Sequence, residues 1–552
     1  MSRSRSGASR GRQARLIGAA AAALGVVAVS ACSTQAAGSA VAFAHAGTSK
    51  ASVQVKALAK VQAGAKTPQT VPAGAQTSIT WGACPALAPG STRNLAEKCG
   101  TVRVPLNYQD PGGKTITVEV SELATAKPGD FRGYLLLNPG GPALQGLDMP
   151  SWMAPTLPAS VLDSYDLIGF DPRGVGTSSP ISCGLSQSFA TVFPYPAADG
   201  SITQNVADAK QVAADCAKNV GSDLQYFTTA NTARDMDRIR IALGAQKISY
   251  WGQSYGTYLG ALYATLFPQN TDRMILEGNV NPNAVWQQQI QLWNQGMNQR
   301  FPDAAKIAAA DNGQLGLGST VAQVESTFIK LAARLDKTPV PVPGAGVDLS
   351  GALLRELTYE LLLHNTELVT LTQTWKAAED LADGTLTAAD GAALQQAFND
   401  TNSPGTANVP ADNQVSMATA LICGDASWSR NIASYAAAVK EGRAAYPLSA
   451  GMPDNIWPCA FWPAPAQPPV KVTSHGPRDI LLLQNQRDNA TPYAGALGMA
   501  KALGQRAAFV SVDNGGHYVY DTGSACADQA TVAFLTKGTL PARTLYCPGP
   551  QS

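Results

Sequence analysis

The chain has 552 residues, 45% of them hydrophobic and 14% charged, and carries a net charge of +1. That length sustains a large core and exceeds a simple compact domain, so a main domain with an insertion is expected. The near-neutral balance argues against a nucleic-acid partner, and the single cluster of charge, Arg3, Arg5, Arg10, Arg12 and Arg15, has another explanation.

Those arginines precede an uncharged stretch, Leu16 to Ala31, which is too short to span a bilayer comfortably; together they read as a signal peptide over 1–31. The stretch ends Val29-Ser30-Ala31-Cys32, resembling a bacterial lipoprotein processing box in which Cys32 is lipidated and becomes the mature N-terminus. An extracellular protein touching the membrane only through a lipid anchor is therefore expected, with full secretion as the alternative. Residues 32–80, rich in small and polar types with Phe43 as the single aromatic, read as a flexible tether with a reach on the order of 40 Å.

Strands are expected at Thr101 to Tyr108, Ile116 to Leu123, Tyr134 to Leu137, Asp166 to Phe170, Ile248 to Trp251, Met274 to Leu276, Ile480 to Leu483 and Phe509 to Val512. The third runs into Asn138-Pro139-Gly140-Gly141-Pro142, a rigid loop with little side-chain bulk that allows close backbone approach to a substrate. Gly141 is the candidate there for an N–H donor to a developing negative charge. After the fourth strand comes Asp171-Pro172-Arg173-Gly174-Val175-Gly176-Thr177-Ser178; Ser179 occupies the third glycine position of a dinucleotide fingerprint, so Asp171 and Arg173 are read as braces of a turn beside the nucleophile loop.

The fifth strand leads into Gly252-Gln253-Ser254-Tyr255-Gly256 and then an apolar helix-like run. A G-x-S-x-G turn between strand and helix exposes its serine for nucleophilic attack, and the N–H of the next residue, Tyr255, supplies a second oxyanion donor. A serine nucleophile needs a base, and the chain holds four histidines. His45 lies in the tether, His364 inside the helix-like run Leu357 to Leu368, and His475 ahead of a strand, whereas His517 follows one, where catalytic groups of open α/β sheets gather. Asp488, past the carboxyl end of the penultimate strand, completes the order Ser, Asp, His; Glu277 at the end of the sixth strand is the rival acid.

Between the sixth and seventh strands, residues 286–470 read as a helical cap, with helices at Trp286 to Phe301, Val321 to Leu335, Leu353 to Leu368 and Trp375 to Leu381. The fold expected is thus an α/β-hydrolase with a mostly parallel sheet, its core formed by 81–285 and 471–552. Setting Cys32 aside leaves eight cysteines, and proximity favours Cys84 with Cys99, Cys183 with Cys216, Cys423 with Cys459, and Cys526 with Cys547. No paired C-x-x-C or H-E-x-x-H spacing occurs, so neither a metal nor another cofactor is expected.

The motifs N-P-G-G-P, D-P-R-G-V-G-T-S, N-T-A-R-D-M-D-R-I-R, W-G-Q-S-Y-G-T-Y-L-G, a D-x-x-T-P segment at Asp488 and G-G-H at His517 together resemble the secreted actinobacterial tripeptidyl aminopeptidases, relatives of the prolyl aminopeptidases. The resemblance covers roughly residues 80 to 550. It departs at Ala143-Leu144-Gln145-Gly146, where a more glycine-rich run is expected. It implies a monomeric exopeptidase acting on peptides with a free N-terminus through an acyl-enzyme. A carboxylesterase or lipase would use the same triad, and an inactive binding protein is the third reading. An aminopeptidase must also hold the substrate's ammonium, for which carboxylates are the natural partners; Glu277 and Asp425 are the candidates.

Overall fold

In the computed structural model the residues described are 72, 74–87, 92–186, 193–388, 390–392, 394–395, 406 and 408–550. The expected signal peptide, Cys32, His45 and the tether up to residue 71 lie outside them. Nine strands form the main sheet: β1 Lys98–Pro105, β2 Thr115–Leu123, β3 Gly133–Asn138, β4 Tyr165–Phe170, β5 Ile248–Gln253, β6 Thr271–Glu277, β7 Ile480–Arg487, β8 Ala507–Gly515 and β9 Leu545–Pro548. Their spatial order is β1-β2-β4-β3-β5-β6-β7-β8-β9. β2 runs antiparallel to both β1 and β4, and the rest pair in parallel. The central strands are apolar runs such as Leu135-Leu136-Leu137 and Ile480-Leu481-Leu482-Leu483, all buried, because helices cover both faces of a parallel sheet.

The principal helices are α1 Thr203–Asn219, α2 Thr229–Ala242, α3 Tyr255–Leu266, α4 Trp293–Ala310, α5 Val321–Lys337, α6 Gly351–Leu361, α7 Leu368–Asp383, α8 Asn413–Asp425, α9 Ile432–Ala445, α10 Tyr493–Leu503 and α11 Ala525–Lys537. Helices α4 to α9 fall between β6 and β7. This insertion has its own apolar core, in which Trp375 stacks on Phe301 at 4.7 Å and Phe328 lies 5.1 Å from Phe301. The chain between β4 and β5 joins it: Phe193 packs edge-on against Trp293 and Tyr359, and Asn455 Nδ2 donates to Pro194 O at 2.5 Å.

The elements differ from the sequence expectations in several places. β1 stops at Pro105, Leu106 N makes one further bond to Lys114 O at 2.9 Å, and residues 107–113 turn instead of extending the strand to Tyr108. β9, only four residues long and half exposed, carries too little pattern to announce itself. The helix expected over Leu353 to Leu368 is two helices, with a break at Leu362–Glu367. The favoured cysteine pairs are all disulfide-bonded. No helix among the described residues is long and apolar enough to cross a membrane.

Candidate active site

Ser254 stands between β5 and α3 at φ 55° and ψ −122°, a left-handed conformation that a non-glycine residue adopts only where its surroundings hold it. Its N–H donates to Glu277 O at 2.9 Å, and neighbouring loops close in on it. A Cβ on Gly252 would strike Gly256 O, and one on Gly140 would strike Gln253 O and lie 2.9 Å from Ser254 Cβ. The glycines therefore permit the close packing that exposes the hydroxyl. That hydroxyl makes no hydrogen bond among the described residues, as is common in nucleophile sites that tighten only around substrate.

His517 and Asp488 are brought together: His517 Nδ1 lies 3.0 Å from Asp488 Oδ2 and 3.1 Å from Oδ1. The carboxylate is wholly buried and receives Ala490 N and Thr491 N at 2.8 Å each, Thr491 Oγ1 at 2.7 Å and Gln484 Nε2 at 3.2 Å. These donors fix its direction. The imidazole reaches toward the nucleophile turn. A Cβ on Gly278, next to the Glu277 whose carbonyl binds Ser254, would lie 3.1 Å from His517 Cε1.

Tyr255 opens α3, so its N–H has no acceptor within the helix, and Gly141 N–H has no partner among the described residues. Both are available to an anion beside Ser254. The loop bearing Gly141 is braced by Asp171, whose Oδ1 accepts Gly146 N at 3.0 Å and Leu147 N at 3.1 Å while Oδ2 holds Thr177. Burial pushes the Asp171 carboxyl up to about 6. Arg173, in the same turn, pairs with Asp235 of α2 at 2.6 Å and binds the carbonyls of Pro105, Leu106 and Tyr226, which ties that turn to α2 and to the end of β1.

Of the two carboxylates expected to receive an ammonium, Glu277 is spent on the protein itself, which is a correction, whereas Asp425 has three protein donors. Glu277, 1% exposed, accepts Trp251 Nε1 at 2.8 Å, Gln253 Nε2 at 2.9 Å, Val519 N at 2.7 Å and Tyr520 N at 2.8 Å. No lone pair remains for a ligand, and it orders the turn that follows His517. Asp425 caps α2 from the end of α8, accepting Thr229 N at 2.8 Å, Thr229 Oγ1 at 2.5 Å and Trp286 Nε1 at 3.2 Å. It lines a cavity of about 140 Å³ with Arg234 and Tyr258, but Ser254 and His517 are not among that cavity's walls.

Different carboxylates are unpaired. Glu356 and Glu360 lie one turn apart on α6; Glu356 is 7% exposed, and Glu360 Oε1 is shut from solvent without a partner. Neither makes a hydrogen bond or ion pair among the described residues. Burial raises both, Glu356 well above the usual range and Glu360 to about 8. α6 ends against the triad: Asn489 Nδ2 donates to Tyr359 O at 3.0 Å and His517 N to Leu363 O at 2.8 Å. Nothing in the sequence marks this pair beyond two acids at helical spacing. His364 was set aside as helix-internal, yet it sits in the break and stacks on Tyr518 at 5.5 Å, its imidazole driven down to about 4 by burial and by the charges of His517 and Arg300.

Residues 133–339 match the family described as alpha/beta hydrolase fold, and residues 447–547 the family described as TAP-like protein. Strand order, elbow and match together make this an α/β-hydrolase of the serine-hydrolase class. Over 487 residues it is 32% identical to the tripeptidyl aminopeptidase of Streptomyces lividans, spanning 86% of this chain and 87% of that one. It is 29% identical over 496 residues to serine protease Hip1 of Mycobacterium tuberculosis, spanning 85% and 91%. Carboxylesterase B of the same organism is 30% identical over 479 residues, spanning 85% and 89%. The chain belongs to the tripeptidyl aminopeptidase family.

Proposed function

We propose that the protein is an exported serine exopeptidase that removes short, tripeptide-like units from the free N-terminus of peptides. Ser254 Oγ attacks the scissile carbonyl while His517 takes its proton, and Asp488 holds the imidazole and stabilises its charged form. The N–H groups of Gly141 and Tyr255 receive the oxyanion. His517 then protonates the leaving amine, and a water activated by the same histidine frees the acyl-enzyme.

The observation that carries the peptidase reading is the pair Glu356 and Glu360. Carboxylates with little access to water and no partner are costly to ionise, as for Glu356 at 7% exposure and Glu360 with Oε1 shut from solvent, and a cationic ligand offsets that cost. A substrate ammonium held there, with the scissile bond at Ser254, fixes how many residues separate the N-terminus from the cut. The carboxylesterase reading uses the triad equally well but leaves these two acids without a role. Export is supported by the four disulfides, which persist in oxidising compartments. Lipidation of Cys32 would anchor the protein, and mass spectrometry finding an unmodified N-terminus downstream of Cys32 would refute that part.

The test is digestion of an unmodified oligopeptide with products read by mass spectrometry. Tripeptides released stepwise from the N-terminus, and absent with Ser254→Ala, are expected. Ester hydrolysis without peptide cleavage, or cleavage at internal sites, would overturn the proposal.

A further inference from the structure

The insertion grips both loops that carry the triad's acid and base. At the acid loop, Trp293 Nε1 donates to Ala490 O at 2.7 Å, Asn489 Nδ2 donates to Tyr359 O, and α4 comes so close that a Cβ on Gly296 would lie 2.5 Å from Asn489 O. At the base loop, the N–H of His517 itself donates to Leu363 O, in the break between α6 and α7. A Cβ on Gly516 would lie 2.8 Å from that same carbonyl. The backbone of the base thus rests on a carbonyl supplied by the insertion.

That break does not hold itself. The guanidinium of Arg300, 1% exposed on α4, donates Nε to Leu362 O at 3.0 Å and Nη2 to Asn365 Oδ1 at 2.7 Å, and pairs through Nη1 with Asp303 Oδ2 at 2.8 Å. Its Nη1 lies flat against Gly515, where a Cβ could not fit. Asn365 Nδ2 donates onward to Asn514 Oδ1 at 3.0 Å, and Asp303 also receives Arg487 Nε at 2.9 Å. Between these bonds the ring of His364 stacks on Tyr518, which in turn lies 5.0 Å from the His517 ring. Residues 513–518 are therefore held on one side by the sheet and on the other by Arg300 and the break.

We infer that the helix break Leu362–Asn365, locked by Arg300, is a positioning element for the base: Arg300 and Asn365 act through His517 on every reaction at Ser254, whatever the substrate. The inference rests on the triad assignment proposed above. Its functional consequence is that the insertion arms the site as well as covering it, since lifting the insertion would take away the carbonyl that seats His517. A loose imidazole no longer meets the serine hydroxyl in the attacking geometry, and small misplacements cost rate steeply.

A small acetyl ester separates this role from substrate recognition, because it is too short to need the insertion's walls. Asn365→Ala and Arg300→Lys should each lower kcat on the acetyl ester and on a tripeptide anilide by the same factor, about tenfold, with KM on the ester unchanged. The rate of fluorophosphonate labelling of Ser254 should fall in parallel. Thermal unfolding of each variant checks the fold, and if Arg300→Lys does not fold, Asn365→Ala alone decides. Wild-type ester kcat and labelling rate in a folded Asn365→Ala variant would overturn the inference while leaving the triad standing. Absence of labelling in the wild type would instead remove the triad assignment beneath it.

Discussion

Two buried carboxylates, Glu277 and Asp488, stand at the ends of neighbouring strands with different work to do. Asp488 faces the imidazole, so Asp488→Asn should lose kcat on the order of 10⁴-fold, because the amide stabilises the wrong tautomer, and it should lose stability as well, because four protein donors also converge on this carboxylate. Glu277→Gln should lose stability while keeping far more of the rate. An amide cannot accept from all four donors around it, so Tm should fall by an amount corresponding to about 1–3 kcal/mol, with a smaller effect on rate. Kinetics beside thermal unfolding checks both, and a larger rate loss in Glu277→Gln would contradict the assignment. A pH effect belongs to Asp425, whose carboxyl burial raises from 3.8 to about 6. A raised acid favours the folded state most below its unfolded pKa, and that contribution is lost as pH rises through about 6. The stability of wild type relative to Asp425→Asn should therefore decline between about pH 4 and pH 6 and be level on either side; an unchanged difference across that window would refute it.

At the scale of elements, the disulfide Cys423–Cys459 ties the end of α8, and with it Asp425, to the segment that returns toward β7. Cys423→Ala with Cys459→Ala should lower Tm, by no more than the ~2–5 kcal/mol typical of small secreted domains, while ester turnover by the folded protein persists. Loss of ester turnover without loss of Tm would contradict a purely stabilising role. Strands, elbow, acid loop and histidine loop were legible in the sequence because each combines a short apolar run with residues whose chemistry is local: Gly252 and Gly256 around Ser254, Asp488 after β7, His517 after β8. The break at Leu362–Glu367 was not legible. Its residues suit a helix, and what stops them is distant: Arg300 takes the Leu362 carbonyl and His517 takes that of Leu363. For the same reason His364 was placed inside a helix, and Phe193, from a separate connection, was not foreseen as a neighbour of Trp293. Glu277 does not fit the reading as an ammonium partner because sequence shows that an acid is present but not which donors already occupy it.

In the whole molecule, a mostly parallel sheet carries Ser254, Asp488 and His517 after β5, β7 and β8, and the helical insertion supplies both a carbonyl to His517 N and two carboxylates without a partner among the described residues. On the proposed function, Glu356 and Glu360 are what make this serine hydrolase an aminopeptidase. The most direct measurement is kcat/KM for a tripeptide anilide with a free amine against its N-acetyl derivative, in wild type, Glu360→Gln and Glu356→Gln, with a small acetyl ester as reference. Wild type should prefer the free amine by at least about tenfold, and each glutamine variant should lose most of that preference while retaining ester hydrolysis. Equal hydrolysis of the free and acetylated peptides by the wild type would contradict the aminopeptidase reading, and a preference that survives in both variants would contradict the assignment of Glu356 and Glu360.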